Sequence, residues 1–186
     1  MKTPAFALAI ILFAAALPAA ETALTVDKTR SHLEAMVTSP MDNFTAKVSA
    51  YDAFVSVDLA EKRIGSAQLK FRFADLKTGD EDRDAEMRAW QQTDQFPECV
   101  YLLDSLMPAV GGTYKARGKF ILHGVTKEIT IPVTISFKDT AVLIDGDLAL
   151  DTTDFGLSPI RKYALFKVNP TLQIKFHLEG SASIGR

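Results

Sequence analysis

A chain of 186 residues with 24 % charged and 47 % hydrophobic side chains has the composition of one globular domain, neither disordered nor fibrous. Its formal net charge of -2 offers no cationic surface to a phosphate backbone, which sets nucleic-acid binding aside. The single cysteine, Cys99, excludes an intramolecular disulfide, so stability must come from the core.

Residues 1–20, MKTPAFALAIILFAAALPAA, have the layout of a secretory signal peptide. Lys2 and the amino terminus supply the positive end, Ala5–Leu17 the apolar run, and the small residues of PAA a cleavage region. The run is shorter than the roughly 20 residues of a spanning helix, so no stable membrane span is expected. The mature domain is expected over residues 21–186, in the periplasm or secreted.

From residue 21 onward the recurring signal is the period-two alternation of half-buried strands. Weak signals cover Leu24–Val26, His32–Thr38 and Thr45–Val57. Leu69, Phe71 and Phe73 then share a face, with Lys70 and Arg72 on the other. DEDRDAEMRAW, Asp80–Trp90, is the strong helical candidate, with acidic residues crowding a first turn where they suit the helix dipole. Val100–Leu106, another weak strand, places Cys99 as a buried small apolar residue.

The strongest alternation follows. Tyr114, Ala116, Gly118, Phe120 and Leu122 form one face, and Ile129, Ile131, Val133, Ile135 and Phe137 the next. Val142, Ile144, Gly146, Leu148 and Leu150 continue the series, as do Leu172, Ile174, Phe176 and Leu178. A short helical turn is predicted near Tyr163–Phe166. The connections VGGT, HGVTK and KDTA are too short for a parallel crossover, so neighbours are antiparallel. About eight or nine one-sided strands must bury their apolar faces together, in a sandwich or a closed barrel. Any cavity among those faces would suit an apolar ligand.

Reactive chemistry is sparse. His32, His123 and His177 have no metal-ligand spacing, and there is no nucleophile elbow, phosphate loop or dinucleotide fingerprint. His123, beside Gly124, reads as a hairpin corner, with Glu128 across the same turn as a candidate partner. His32, at a strand start, suits a loop or a cavity mouth, and His177 alternates outward into solvent. The acidic cluster GDEDRD lacks the spaced ligands of a calcium loop and reads as a helix start.

VDKTRSH, RDAEMRAW, FPECVYLLDS, YKARGKFILHGVTKEITIPV and DTTDFGLS, in this order, resemble the YceI-like family of polyisoprenoid-binding proteins. The match includes Arg83, Asp84 and Met87 in the helix and the corner His123–Lys127. It departs where Arg30-Ser31 stands for His-Ser, Ala35 for Phe, and Thr152-Thr153 for a residue pair carrying Arg. The resemblance implies an all-β fold: an extended antiparallel lipocalin-like β-barrel of about eight strands with one short helix and an apolar internal tunnel. It implies an exported binding protein, not an enzyme, that sequesters or carries an isoprenoid or other long-chain apolar lipid, such as an isoprenoid quinone. No cofactor or metal is expected. The expected ligand-binding residues are Phe71, Phe73, Tyr114, Ala116, Phe120, Leu122, Ile131, Val133, Ile144, Phe155 and Phe176. A homodimer is compatible with the sequence. Two alternatives differ in class: an envelope enzyme with His32 or His123 as base, and a ligand-free barrel for stress protection or interaction.

Overall fold

The computed structural model describes residues 21–38, 42–162 and 166–183. Its elements are β1 (Thr22–Val26), β2 (His32–Val37), β3 (Phe44–Val48), β4 (Asp52–Asp58), β5 (Arg63–Arg72) and β6 (Leu76–Lys77). Helix α1 (Glu81–Gln91) follows, then β7 (Glu98–Pro108), β8 (Thr113–Leu122), β9 (Val125–Lys138) and β10 (Ala141–Asp151). A small hairpin, β11 (Arg161–Lys162) and β12 (Phe166–Lys167), precedes β13 (Thr171–Ala182).

Eight strands close a ring in the order β1-β4-β5-β7-β8-β9-β10-β13, and β13 returns to β1. Every pairing in it is antiparallel. The barrel is therefore closed and has no free edge along the ring. Strands β1 and β2 act as one kinked strand along β13, with Leu24 opposite Ala182 and His32 opposite His177. Asp27 makes the kink: its carboxylate takes the Thr29 amide at 2.9 Å and hydroxyl at 2.7 Å, while its carbonyl takes the Arg30 amide at 3.2 Å.

The weak signal over Thr45–Val57, read as one strand, is two. The chain leaves β3 after Val48, where the Ser49 amide and hydroxyl both donate to the Asp75 carbonyl at 2.8 Å, and resumes as β4 at Asp52. Of the helical turn predicted near Tyr163–Phe166, residues 163–165 lie outside the described residues, and Phe166 opens the strand β12 instead.

Helix α1 starts where its capping residue dictates. The Asp80 side chain accepts the Arg83 amide at 3.0 Å, with Glu81, Asp82 and Asp84 in the first turn. Asp84 is buried and takes the Thr78 amide at 2.9 Å and hydroxyl at 2.7 Å, which ties the helix to the end of β6. The helix ends at Gln92, in the left-handed region at φ 55°.

The corner between β8 and β9 is a two-residue hairpin with His123 at φ 51° and Gly124 at φ 71°. Positive φ at both central positions matches the right-handed twist of the flanking strands. Opposite the helix end, Leu24, Val57, Val142 and Ala182 pack as the barrel floor, with Val57 and Val142 fully buried.

Candidate functional site

Above that floor the inward side chains do not meet. They surround a cavity of about 170 Å³, whose wall has almost no polar surface. The structure places Phe71, Phe73, Ala116, Phe120, Leu122, Ile131, Val133, Ile144 and Phe176 on this wall, drawn from five strands and the turn after β5. Two sequence-predicted residues stand off it. Tyr114 is in the inward phase of β8 but packs against the Ala116, Ile131 and Val133 cluster at the strand's first turn. Phe155 is 1 % exposed in the 3-10 turn Thr152–Phe155, behind the wall, with its ring edge-on to Phe120 at 5.6 Å.

Small residues shape the wall. A Cβ at Gly146 would collide with the Phe176 ring, so glycine there is the seat on which that ring lies. At Gly118 a Cβ would stand 2.8 Å from the Tyr101 hydroxyl, so Tyr101 is seated in the same way. The Tyr101 hydroxyl donates to the Ala116 carbonyl at 3.1 Å, and burial, with the nearby Asp104 charge, pushes the phenol up to about 12. Cys99 also lines the cavity, 1 % exposed, its thiol pushed up to about 12 by burial. A thiol so placed is not a nucleophile near neutral pH.

A second cavity of about 280 Å³ adjoins the first and shares Ala35, Phe73, Leu76, Leu122 and Leu172 with it. Helix α1 forms one side with Arg83, Glu86, Met87 and Trp90, which at i, i+3, i+4 and i+7 lie on one face. The other side comes from Phe44 and from Pro159, Ile160, Val168 and Pro170. The Arg83 guanidinium lies over the Phe44 ring at 4.4 Å and reaches Asp42 at 3.3 Å and Asp80 at 3.4 Å. The Trp90 indole donates to the Ser158 carbonyl at 2.7 Å, joining the helix to the segment after the Thr152–Phe155 turn. The two cavities thus lie side by side across a shared apolar wall, and the second has a polar rim at its mouth beside α1. Asp42, Trp90 and Asn169 at this mouth were not among the expected site residues. The signal that marks the helical part is a face mixing Arg and Glu with Met and Trp.

The histidines enter neither of these two cavities. His123 faces the Phe155 carbonyl through Nδ1 at 3.1 Å, so that nitrogen carries a proton, and the Phe96 ring packs edge-on at 4.5 Å. Glu128, its candidate partner, instead bridges Arg117 at 2.7 Å, because alternation along β9 turns it to the outer face. His32 lies neither in a loop nor at the mouth. It stands on the outer wall beside His177, which is paired with Asp145 at 2.7 Å and is not simply solvated. Among the described residues, no convergent polar cluster of the kind a base would need lines the first cavity.

An eight-stranded closed antiparallel barrel, capped by one helix and hollow along its axis, is the architecture of a lipocalin-like binding protein. The family model of the YceI-like domain matches residues 24–180, and the chain belongs to that family. The solved structure of BcnA from Burkholderia cenocepacia is similar at TM-score 0.75 and 25 % identity, over 83 % of this chain and 99 % of that one. A polyisoprenoid binding domain from Saccharophagus degradans, implicated in plant cell wall breakdown, is similar at TM-score 0.67 and 18 % identity. That likeness covers 87 % of this chain and 99 % of the domain. The YCEI protein of Campylobacter jejuni is similar at TM-score 0.67 and 14 % identity, over 77 % and 87 %. No curated protein matches the sequence.

Proposed function

We propose that this chain is an exported carrier or sequestering protein for an isoprenoid or polyprenyl lipid, such as an isoprenoid quinone. In this reading residues 1–20 direct export to the periplasm or beyond, and residues 21–186 form the binding domain. The observation that carries it is an apolar cavity inside the closed barrel, set against a second cavity with a polar rim across Phe73 and Leu122. Family membership and the likeness to a polyisoprenoid binding domain support it.

Affinity follows from burial. Each CH₂ removed from water contributes roughly 0.8 kcal/mol, so several isoprene units supply ample gross energy before association and ordering costs are subtracted. The wall offers a chain no hydrogen bonds, and orientation is left to the mouth. There Arg83, Asp42, Glu86 and Asn169 stand where a polar headgroup would rest.

Trp90, the one tryptophan of the chain, lines that mouth and reports on it. Titrating delipidated protein with an isoprenoid quinone should change its fluorescence saturably, at one ligand per chain. Absence of saturable binding to protein shown to be lipid-free would sink the proposal.

A further inference from the structure

The outer wall of the barrel carries chemistry independent of whatever the interior holds. Across β10, β13 and β2, Asp145, His177 and His32 stand directly opposite one another and outward. The two imidazole rings lie 5.6 Å apart, within 25° of parallel. Asp145 Oδ1 meets His177 Nδ1 at 2.7 Å. Two residues along the same strands, Asp147, Lys175 and Glu34 form a parallel outward row. A groove of about 450 Å³ lies between the rows. Asp147 is already engaged, by the Gln173 amide and by Lys175 Nζ at 3.9 Å.

We propose that His32 and His177 form a two-nitrogen site for a borderline divalent ion, Cu²⁺ or Zn²⁺, with Asp145 as the residue that positions His177. Facing side chains of an antiparallel pair have Cβ atoms about 5 Å apart, which brings both imidazoles within reach of one ion. With metal–nitrogen bonds of about 2.1 Å, an ion bridges donors up to about 4 Å apart, so in this proposal the exposed His32 ring turns toward His177 as the ion binds. The carboxylate on Nδ1 fixes the tautomer of His177 and leaves Nε2 as the donor, the arrangement that orients metal-binding histidines. Three carboxylates against one ammonium give the groove a negative field that favours a cation. Imidazole suits copper, nickel and zinc, and copper binds such donors most tightly. Among the described residues no group of three or more His, Cys, Asp or Glu side chains is placed to hold a metal. The protein therefore contributes two nitrogens and water completes the shell, which makes the site exchangeable.

Calorimetric titration of the purified protein with Cu²⁺, followed by electron paramagnetic resonance, tests this. One ion should bind per chain, with two coordinated imidazole nitrogens in the hyperfine pattern. His32→Ala and His177→Ala should each weaken binding by about tenfold or more and remove one of those nitrogens. Asp145→Asn should keep both and lower affinity about 10- to 100-fold. His123→Ala, remote from the groove, should change neither readout. All three site residues lie on the outer wall, and thermal melts show whether each variant is folded. A His32→Ala/His177→Ala double variant that binds Cu²⁺ as tightly as the wild type, with the same nitrogen count, would overturn the site.

Discussion

The two ends of the barrel use the same alternation of apolar and polar residues to opposite effect. At the floor, Leu24, Val57, Val142 and Ala182 converge with no space between them. Toward the helix, Phe73, Phe120, Leu122 and Ile131 are just as apolar yet border a cavity. The difference does not lie in hydrophobicity, nor in glycine seats alone, since Gly180 seats Leu24 at the floor. Glycines at positions 118 and 146 let Tyr101 and Phe176 lie back against the wall, and α1 covers the end from the side instead of filling it. A strand pattern decides which face turns inward, whereas the way each end is closed decides whether the inside is full.

The contrast is broken most strongly at the floor. Leu24→Ala removes a side chain that is 5 % exposed in a closed cluster, and should cost about 2–5 kcal/mol in urea or thermal unfolding. Leu148→Ala, half-buried on the cavity wall, has fewer contacts to lose and should cost less than Leu24→Ala, about 2 kcal/mol at the low end of that range. Equal losses at the two sites would remove the distinction between a solid floor and a hollow wall.

Alkaline pH probes the wall next. Burial raises Cys99 and Tyr101 to about 12, so above pH 9 the unfolded chain releases protons that the folded chain retains. Stability should be independent of these groups below pH 9 and fall as pH rises from there toward 12. The slope is at most about 1.4 kcal/mol per pH unit for Cys99, and Tyr101 acts in the same direction. Urea midpoints across that range, with Cys99→Ala as reference, measure it. A midpoint that rises above pH 9 would contradict the burial of this wall.

His123 tests the helix end on a smaller scale. His123→Ala loses the contact with the Phe155 carbonyl and the edge of Phe96, and should cost about 1 kcal/mol while leaving lipid retention unchanged. Loss of lipid at an unchanged melting temperature would give this residue a part in binding.

Much of this was legible in the sequence because it is local. The alternation over β8, β9, β10 and β13 shows which side chains face inward, and Gly124 marks the hairpin corner. What was hidden depends on partners distant in sequence. The break between β3 and β4 depends on the Asp75 carbonyl, 26 residues beyond Ser49. The displacement of Phe155 behind the wall follows from a 3-10 turn that packs on β8. The mouth joins Asp42, Asn169 and the α1 residues Arg83 and Trp90 from three separate segments. The row of His32, His177 and Asp145 exists only once strand register is fixed.

The smallest effect on the fold belongs to the variant with the largest effect on binding. Ala116 lines the cavity, so Ala116→Phe fills existing space and should change stability by less than about 1 kcal/mol, whereas overpacking a closed core costs about 1–3 kcal/mol. Native mass spectrometry of the gently purified wild type beside this variant tests the central claim most directly. A lipid-filled cavity gives a wild-type species carrying one isoprenoid-sized mass and a folded Ala116→Phe protein without it. A wild type that carries no lipid and takes up none when an isoprenoid quinone is added, beside a variant destabilised as in a closed core, would contradict that claim.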